Sequence, residues 1–431
     1  MLTFPRSLAR SCRAVFRALL PARGCRAAPP VRLLAGPGGL RLRLATPEAA
    51  AEYHHPGPGG WADLAVPLQL LADCEGTDGA PVTVRPLPGG RVEGRWEQAG
   101  VPHARDYDPG KAAPSPFPEW PEGATANGPE LLAALDQAMR TADNSTGRYA
   151  LSHVLLRGGK GEVVATDGRQ LLIQGGFAFP FRDEVLVPRV NLFGARALPA
   201  GEVLVARSVD HVLFRVGGWT VALAIAKGGR FPNVDAVVPS PGTSSTRWRL
   251  GPGEAKALAQ ALSKLPGADE ELAPVTVDLG RPVAVRARAG AQGRPAELPL
   301  PASAVEGRAV RFVTDRQYLA RALRLGLDTF QVLGPGRPVA CRDGRRTYVW
   351  MALDQTAVPP HPSPARADRA GAPRPAGGRA TTPCPADPRR RQATPRVAAA
   401  ASAAGRLSLW TAGLRNLAGL VREHRRRERG G

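Results

Sequence analysis

Apolar residues recur along this chain at two periods. Between Arg6 and Leu20 they fall at Leu8, Cys12, Val15, Phe16 and Leu19, one stripe of a helix, while Arg6, Arg10, Arg13 and Arg17 form a second stripe. The segments 129–142 (PELLAALDQAMRTA), 254–265 (EAKALAQALSKL) and 315–326 (DRQYLARALRLG) keep the same helical spacing. Elsewhere the period drops towards two, which predicts strands in PVTVDL, RPVAVRARA, TFQVLG, RPVACRD and RTYVWMAL between 274 and 353. The stretch EVVATDGRQLL at 162–172 adds a hairpin, because Asp167 and Gly168 between two apolar runs both tolerate positive φ.

These patterns repeat. LRLATP at 42–47 overlays VVATDG at 163–168, which places Thr46 and Thr166 120 positions apart. Pro67 in DLAVPLQLL and Pro188 in EVLVPRVNLF lie 121 apart, and Val82-Thr83-Val84 keeps that offset from Val203-Leu204-Val205. Each of these two units closes on Phe-Pro, in FPEWP (117–121) and FPNVDAVVP (231–239). A third unit starts near Arg247 and ends near Asp354. Each unit therefore reads as helix, strands, helix, strands, an α+β domain with helices on one face of an antiparallel sheet. The expected boundaries are 1–122, 123–242 and 243–354.

Composition changes this picture at both ends. The first 28 residues are Arg-rich and lack acids, as in a transit peptide, but the matching helix at 129–142 assigns 6–20 to unit one. Past Asp354, residues 355–396 are rich in Pro, Ala, Arg and Gly without period, which predicts a disordered basic linker. In 397–431, Leu407, Trp410, Leu414, Leu417 and Val421 predict an amphipathic helix that runs into REHRRRER. Residues 355–431 hold 15 Arg and 4 acids, a net of +11 out of the chain's +21, so both parts are basic and a polyanion is the expected partner. Five cysteines without CxxC spacing read as reduced and cytoplasmic. No apolar run is long enough to span a membrane.

The motifs of enzymes are missing: there is no GxxxxGK[ST], HExxH, GxSxG or helix-opening GxGxxG. His54-His55 reads as part of a Pro/Gly-rich loop, and Asp63, Asp73, Asp106 and Asp108 share no periodic face. No catalytic residue, metal or cofactor is expected.

Three tandem α+β units, with RYALSHVLL (148–156), ATDGRQL (165–171), KGGRFPNVDAVVP (227–239) and YVWMAL (348–353), resemble the bacterial DNA polymerase III beta subunit, the sliding clamp. The resemblance covers 1–354. It implies a non-catalytic homodimer joined head to tail into a six-domain ring around duplex DNA, tethering polymerase and clamp-loader partners in the cytoplasm, at the nucleoid. It also implies DNA contacts at the loop residues Arg23, Arg26, Arg148 and Tyr149. On the helices, spacing away from the apolar stripes adds Arg10, Arg13, Arg17, Lys256, Lys264 and Arg321 as candidates, with Arg324 beside them. A partner-peptide cleft, for a sequence close to Gln-Leu-Ser-Leu-Phe, would be walled by Leu151, Thr166, Gly168, Arg169, Leu171, Pro232, Val237, Tyr318, Pro338, Val349 and Met351.

The chain departs from the family in three places. Arg169-Gln170 stands where the family has His-Arg, and Ala236 replaces a basic residue. Met351-Ala352-Leu353-Asp354 replaces the family's terminal Met-Pro-Met-Arg-Leu and is followed by 77 residues. Arg406-Leu407-Ser408-Leu409-Trp410 in that extension is similar to the family's docking peptide. Two alternatives accompany the clamp reading: a clamp-derived paralogue acting as scaffold or regulator, and a nucleic-acid binder that relies on the basic tail alone.

Overall fold

A computed structural model of the chain describes residues 1–20, 28–110, 115–144, 149–240, 243, 245–270, 272–290 and 293–354. The linker and tail at 355–431 lie outside the described residues, as do Arg23, Arg26 and Arg148.

Unit one begins with β1 (Leu2–Pro5), α1 (Arg6–Leu19), β2 (Val31–Gly36), β3 (Gly39–Ala45) and β4 (Ala49–His55). It continues through β5 (Ala62–Val66), α2 (Leu68–Cys74), β6 (Pro81–Pro86), β7 (Val92–Gln98) and β8 (Val101–Tyr107). Unit two contains β9 (Thr125–Asn127), α3 (Glu130–Thr141), β10 (His153–Arg157), β11 (Glu162–Thr166) and β12 (Gln170–Gln174). After these come β13 (Glu184–Pro188), β14 (Val203–Arg207), β15 (His211–Val216) and β16 (Trp219–Ala224). Unit three opens with β17 (Thr246–Arg249), α4 (Glu254–Ala261), β18 (Pro274–Asp278), β19 (Ala284–Ala287) and β20 (Ala296–Pro299). It closes with β21 (Ala304–Glu306), β22 (Arg311–Asp315), α5 (Arg316–Arg324), β23 (Thr329–Val332), β24 (Pro338–Arg342) and β25 (Arg346–Met351).

Every strand pair between these elements is antiparallel, and the helices pack on the sheets, the α+β arrangement that the sequence predicts. Each unit supplies two four-strand sets. In unit one they run β5-β2-β3-β4 and β1-β6-β7-β8; units two and three repeat them as β13-β10-β11-β12 with β9-β14-β15-β16, and β22-β18-β19-β20 with β17-β23-β24-β25, to which β21 adds a fifth strand beside β17. Sheets run on from one unit into the next. β4 pairs with β16, Ala51 opposite Val221, and β12 pairs with β25, Leu171 opposite Val349. Two edges of the same kind stay open: β8 pairs only with β7, and β20 only with β19, among the described residues.

Packing follows the period-two pattern. Leu172, Tyr348 and Trp350 point into the core under α4 and α5, which also holds Trp248, Phe312 and Phe330. Leu171 and Val349, one residue along, face the other way. A second core joins units one and two around Phe4, Phe16, Leu135, Phe214 and Trp219.

Each unit's helical layer is tied by an arginine at the position where a strand gives way to the next segment. Arg6, at the start of α1, donates from Nε to Cys74 O (3.1 Å) and from Nη2 to Glu75 O (2.9 Å), the end of α2. Arg316, at the start of α5, reaches Leu262 O (3.1 Å), Leu265 O (2.6 Å), Pro266 O (2.6 Å), Ala273 O (2.9 Å) and Pro274 O (3.2 Å) around the end of α4. In unit two, Arg189 donates to Met139 O (2.7 Å) in the last turn of α3. A cation at these sites satisfies the orphan carbonyls and the negative end of the helix dipole.

Three expectations are corrected. Unit two lacks the second helix: after Pro188 the chain makes successive turns, with Ala195 N donating to Leu192 O (2.9 Å) and Leu198 N to Ala195 O (3.0 Å). Gly194 and Pro199 interrupt helical bonding there, yet Val190, Leu192, Phe193 and Leu198 are still buried. His54 and His55 end β4 instead of lying in a loop, and His54 Nε2 bonds Gly38 O (2.8 Å). RPVAVRARA pairs only over Ala284–Ala287, and the unread β20, β21 and β22 follow it.

Candidate functional site

The hairpin at Asp167-Gly168 is built by its own side chains. Thr166 Oγ1 donates to Gln170 O (2.6 Å) and accepts from Gly168 N (3.0 Å), while the Asp167 carboxylate accepts from Arg169 N (2.7 Å) and Gln170 N (2.9 Å). Gly168 sits at φ 87°, which a side chain would strain. The Gln170 side chain also donates to Asp167 (2.8 Å) and accepts from Tyr348 Oη (2.7 Å), so the turn is fastened to β25 of unit three. Thr46 forms the equivalent turn in unit one, donating to Ala49 O (2.8 Å).

The turn opens onto an apolar cluster on the sheet face away from α4 and α5. Its buried members are Leu155, Val164, Leu171, Leu186, Val234, Ala340 and Val349, with Ile173, Ala226, Phe231, Val237 and Val238 partly buried around them. Of the expected wall residues, Leu171, Val237 and Val349 meet in this cluster. Thr166, Gly168 and Arg169 border it in the turn, and Met351 N donates to Arg169 O (3.4 Å) and pairs with Pro338. Tyr318, from α5, is partly buried against the core under α4 and α5 and does not join this cluster. Burial, aided by Asp167 and Asp315, raises the Tyr318 phenol, which therefore stays neutral. Pro232 is exposed and Leu151 half-buried, and neither belongs to the cluster. The residues that sequence reasoning missed are the floor, above all Leu155, Val164 and Ala340. Alternation within β10, β11 and β24 marks them, once the face away from the helices is known.

The equivalent seam between units one and two carries a smaller cluster of Ala45, Ala50, Leu213 and Ala222, packed against Phe117 and Trp120 from FPEWP. Arg43 stacks on Phe117 (5.0 Å) and Arg215 on Trp120 (3.9 Å).

The candidate DNA residues separate by environment. Arg10, Arg17, Lys256, Lys264 and Arg324 are exposed. Arg13 pairs with Glu75 at 2.6 Å. Arg321 is committed to a helix contact, donating to Gln137 O (2.8 Å), Arg140 O (3.2 Å) and Thr141 Oγ1 (2.6 Å), which pins α5 to the end of α3. Burial lowers its pKa. Tyr149 opens a 3-10 turn, Tyr149–Ser152, ahead of β10. Among the described residues no cluster of His, Cys, Asp or Glu could hold a metal, and no helix is long and apolar enough to cross a membrane. Cys12, Cys74 and Cys341 are free and buried, and burial raises all three thiols.

Tandem α+β units joined edge to edge into continuous sheets, with helices on one face only, define the processivity-clamp class of fold. Among solved structures, the chain is similar to the DNA polymerase III subunit beta of Pseudomonas aeruginosa, at 18% identity and TM-score 0.67, over 82% of this chain and 99% of that one. It is equally similar to the beta subunit from DNA polymerase of Streptococcus pyogenes, at 14% identity and TM-score 0.67, over 82% and 99%. A third is the sliding clamp of Bartonella birtlesii bound to griselimycin, at 17% identity and TM-score 0.67, over 82% and 98%. No protein-family model matches the chain, and no curated protein matches it. The chain therefore has the fold of the sliding clamps over nearly the whole length of those proteins.

Proposed function

We propose that this protein is a DNA sliding clamp, a non-catalytic processivity subunit that encircles duplex DNA as a head-to-tail homodimer and tethers a polymerase and its partners. Its domains in this reading are the units at 1–122, 123–242 and 243–354, and its place is the cytoplasm, at the nucleoid. The observation that carries the reading is the pair of open edges. β4 and β12 each pair with a strand of the next unit, and their counterpart in unit three, β20, has no such neighbour among the described residues. β16 and β25 each accept such a strand, and among the described residues their counterpart in unit one, β8, is likewise without one. A second copy supplies the missing partner for both edges, and a heterologous contact of this kind closes into a ring when its rotation allows. The exposed cations Arg10, Arg17, Lys256 and Lys264 suit sequence-independent phosphate contact. The apolar cluster at the β12–β25 seam suits a short hydrophobic peptide.

Loading onto nicked circular DNA tests this reading. A ring stays bound through gel filtration at high salt and falls off once the circle is linearised, whereas a basic-tail binder responds to salt alone. Equal retention on both DNA forms sinks the clamp reading. Nothing in the fold favours the clamp-derived scaffold over the clamp itself.

A further inference from the structure

We propose that residues 407–410 (LSLW) of the chain's own tail dock over the apolar cluster at the β12–β25 seam and compete there with partner peptides; this rests on the peptide-docking reading above. The first seam shows what covers such a surface. Ala45, Ala50, Leu213 and Ala222 lie beneath Phe117 and Trp120, two rings three residues apart, each with an arginine stacked on it. Strand register makes Thr166, Leu171, Ala340 and Val349 the counterparts of those four: Ala45 pairs with Ala50, Ala50 with Ala222 and Ala222 with Leu213, as Thr166 pairs with Leu171, Leu171 with Val349 and Val349 with Ala340.

The cover differs. Where the first linker reads Phe117-Pro118-Glu119-Trp120, the second reads Phe231-Pro232-Asn233-Val234, so the small Val234 takes the place of Trp120. Phe231, Val237 and Val238 are left only partly buried. The second seam thus has a buried apolar floor with a partly open rim, and it is short of one large aromatic ring. The tail carries Leu407 and Trp410 at the same spacing of three as Phe117 and Trp120. Its reach is sufficient: the last described residue, Asp354, follows β25 at the seam, and 51 residues separate it from Arg406. A random chain of that length has a root-mean-square span of about 40 Å. A tethered segment acts at an effective concentration on the order of 1 mM, enough to rival a free peptide of modest affinity.

The test uses the full chain with p-benzoylphenylalanine in place of Trp410. Irradiation is expected to cross-link it to peptides from 166–173, 231–238 or 346–351, within single chains when isotope-labelled and unlabelled protein are mixed. Cross-links only elsewhere, only between chains, or none, overturn the proposal. Separately, full-length protein with Leu407→Ala and Trp410→Ala should bind a labelled peptide carrying Gln-Leu-Ser-Leu-Phe about tenfold more tightly than the unaltered chain. Equal, measurable affinities overturn the competition. If that peptide binds neither protein while the cross-links map to the seam, tail docking stands and the partner-peptide reading falls instead.

Discussion

Side chains that look alike in the sequence have parted company in the fold. Arg6, Arg10, Arg13 and Arg17 share a helical stripe, yet Arg6 is buried at the end of α2, Arg13 is paired with Glu75, and only Arg10 and Arg17 are exposed. Spacing places them on one face but says nothing of which neighbour that face meets, and the carbonyls that hold Arg6 come from residues nearly seventy positions away. The same holds for Arg316, whose guanidinium satisfies five carbonyls. Replacing it by alanine takes a donor from each of them, although Ala273 O keeps the backbone bond from residue 316 N (3.2 Å). Arg316→Ala should cost about 3 kcal/mol, and Arg316→Lys should restore little, since an ammonium cannot span the arc of acceptors. Hydrogen exchange of the α4 and α5 amides reads this loss, with the exposed Arg324→Ala near zero as control. Asp315, which caps α5 by accepting from Gln317 N (2.7 Å), is pushed up to about 6 by burial, against the opposing pull of that bond and of Arg169 and Arg316. Its acid form is favoured in the folded state, so its contribution is full below about pH 4 and is lost as pH rises towards 6. Asp315→Asn keeps the cap and removes the titration. The variant should lack this fall, on the order of 2 kcal/mol, in urea midpoints taken between pH 4 and 7; an unchanged slope refutes the assignment.

At the scale of elements, the strongly periodic segments were the legible ones. The helices near 6–20, 129–142, 254–265 and 315–326 appear within a few residues of their expected bounds, and the Thr46 and Thr166 turns match in chemistry as well as position. The second helix of unit two was illegible because the repeat around Pro188 suggests it, while Gly194 and Pro199 weaken it locally. β8 was illegible for another reason: six of its seven residues are exposed, so no burial pattern betrays it. Of the candidate site, the lip was legible through Asp167-Gly168, but the floor depends on which strand faces turn away from the helices. The linker of FPEWP belongs to this scale too. Trp120 lies across both units at the first seam, under Arg215. Trp120→Ala should lower stability by about 2 kcal/mol, seen as a lower thermal midpoint, with Trp120→Phe recovering more than half.

For the whole molecule, the proposed grip on DNA is electrostatic and distributed over helices of different units. Reversing Arg17 and Lys264 together to glutamate should weaken retention on circular DNA uniformly across sequences. The slope of log affinity against log salt should fall by about 1 for each phosphate that is no longer neutralised. A sequence-dependent loss would instead signal recognition of base edges. The continuous sheets carry a geometric consequence of their own. Each seam constrains the angle between neighbouring units through its hydrogen-bond register, and a slip of one residue would put Leu171 and Val349 on opposite faces. Register therefore sets the angle in steps, and strand twist trims it only between them. An assembly built from such seams has little freedom in its curvature: it closes on a fixed number of units, or a single register error sends it winding past its own start as an open filament.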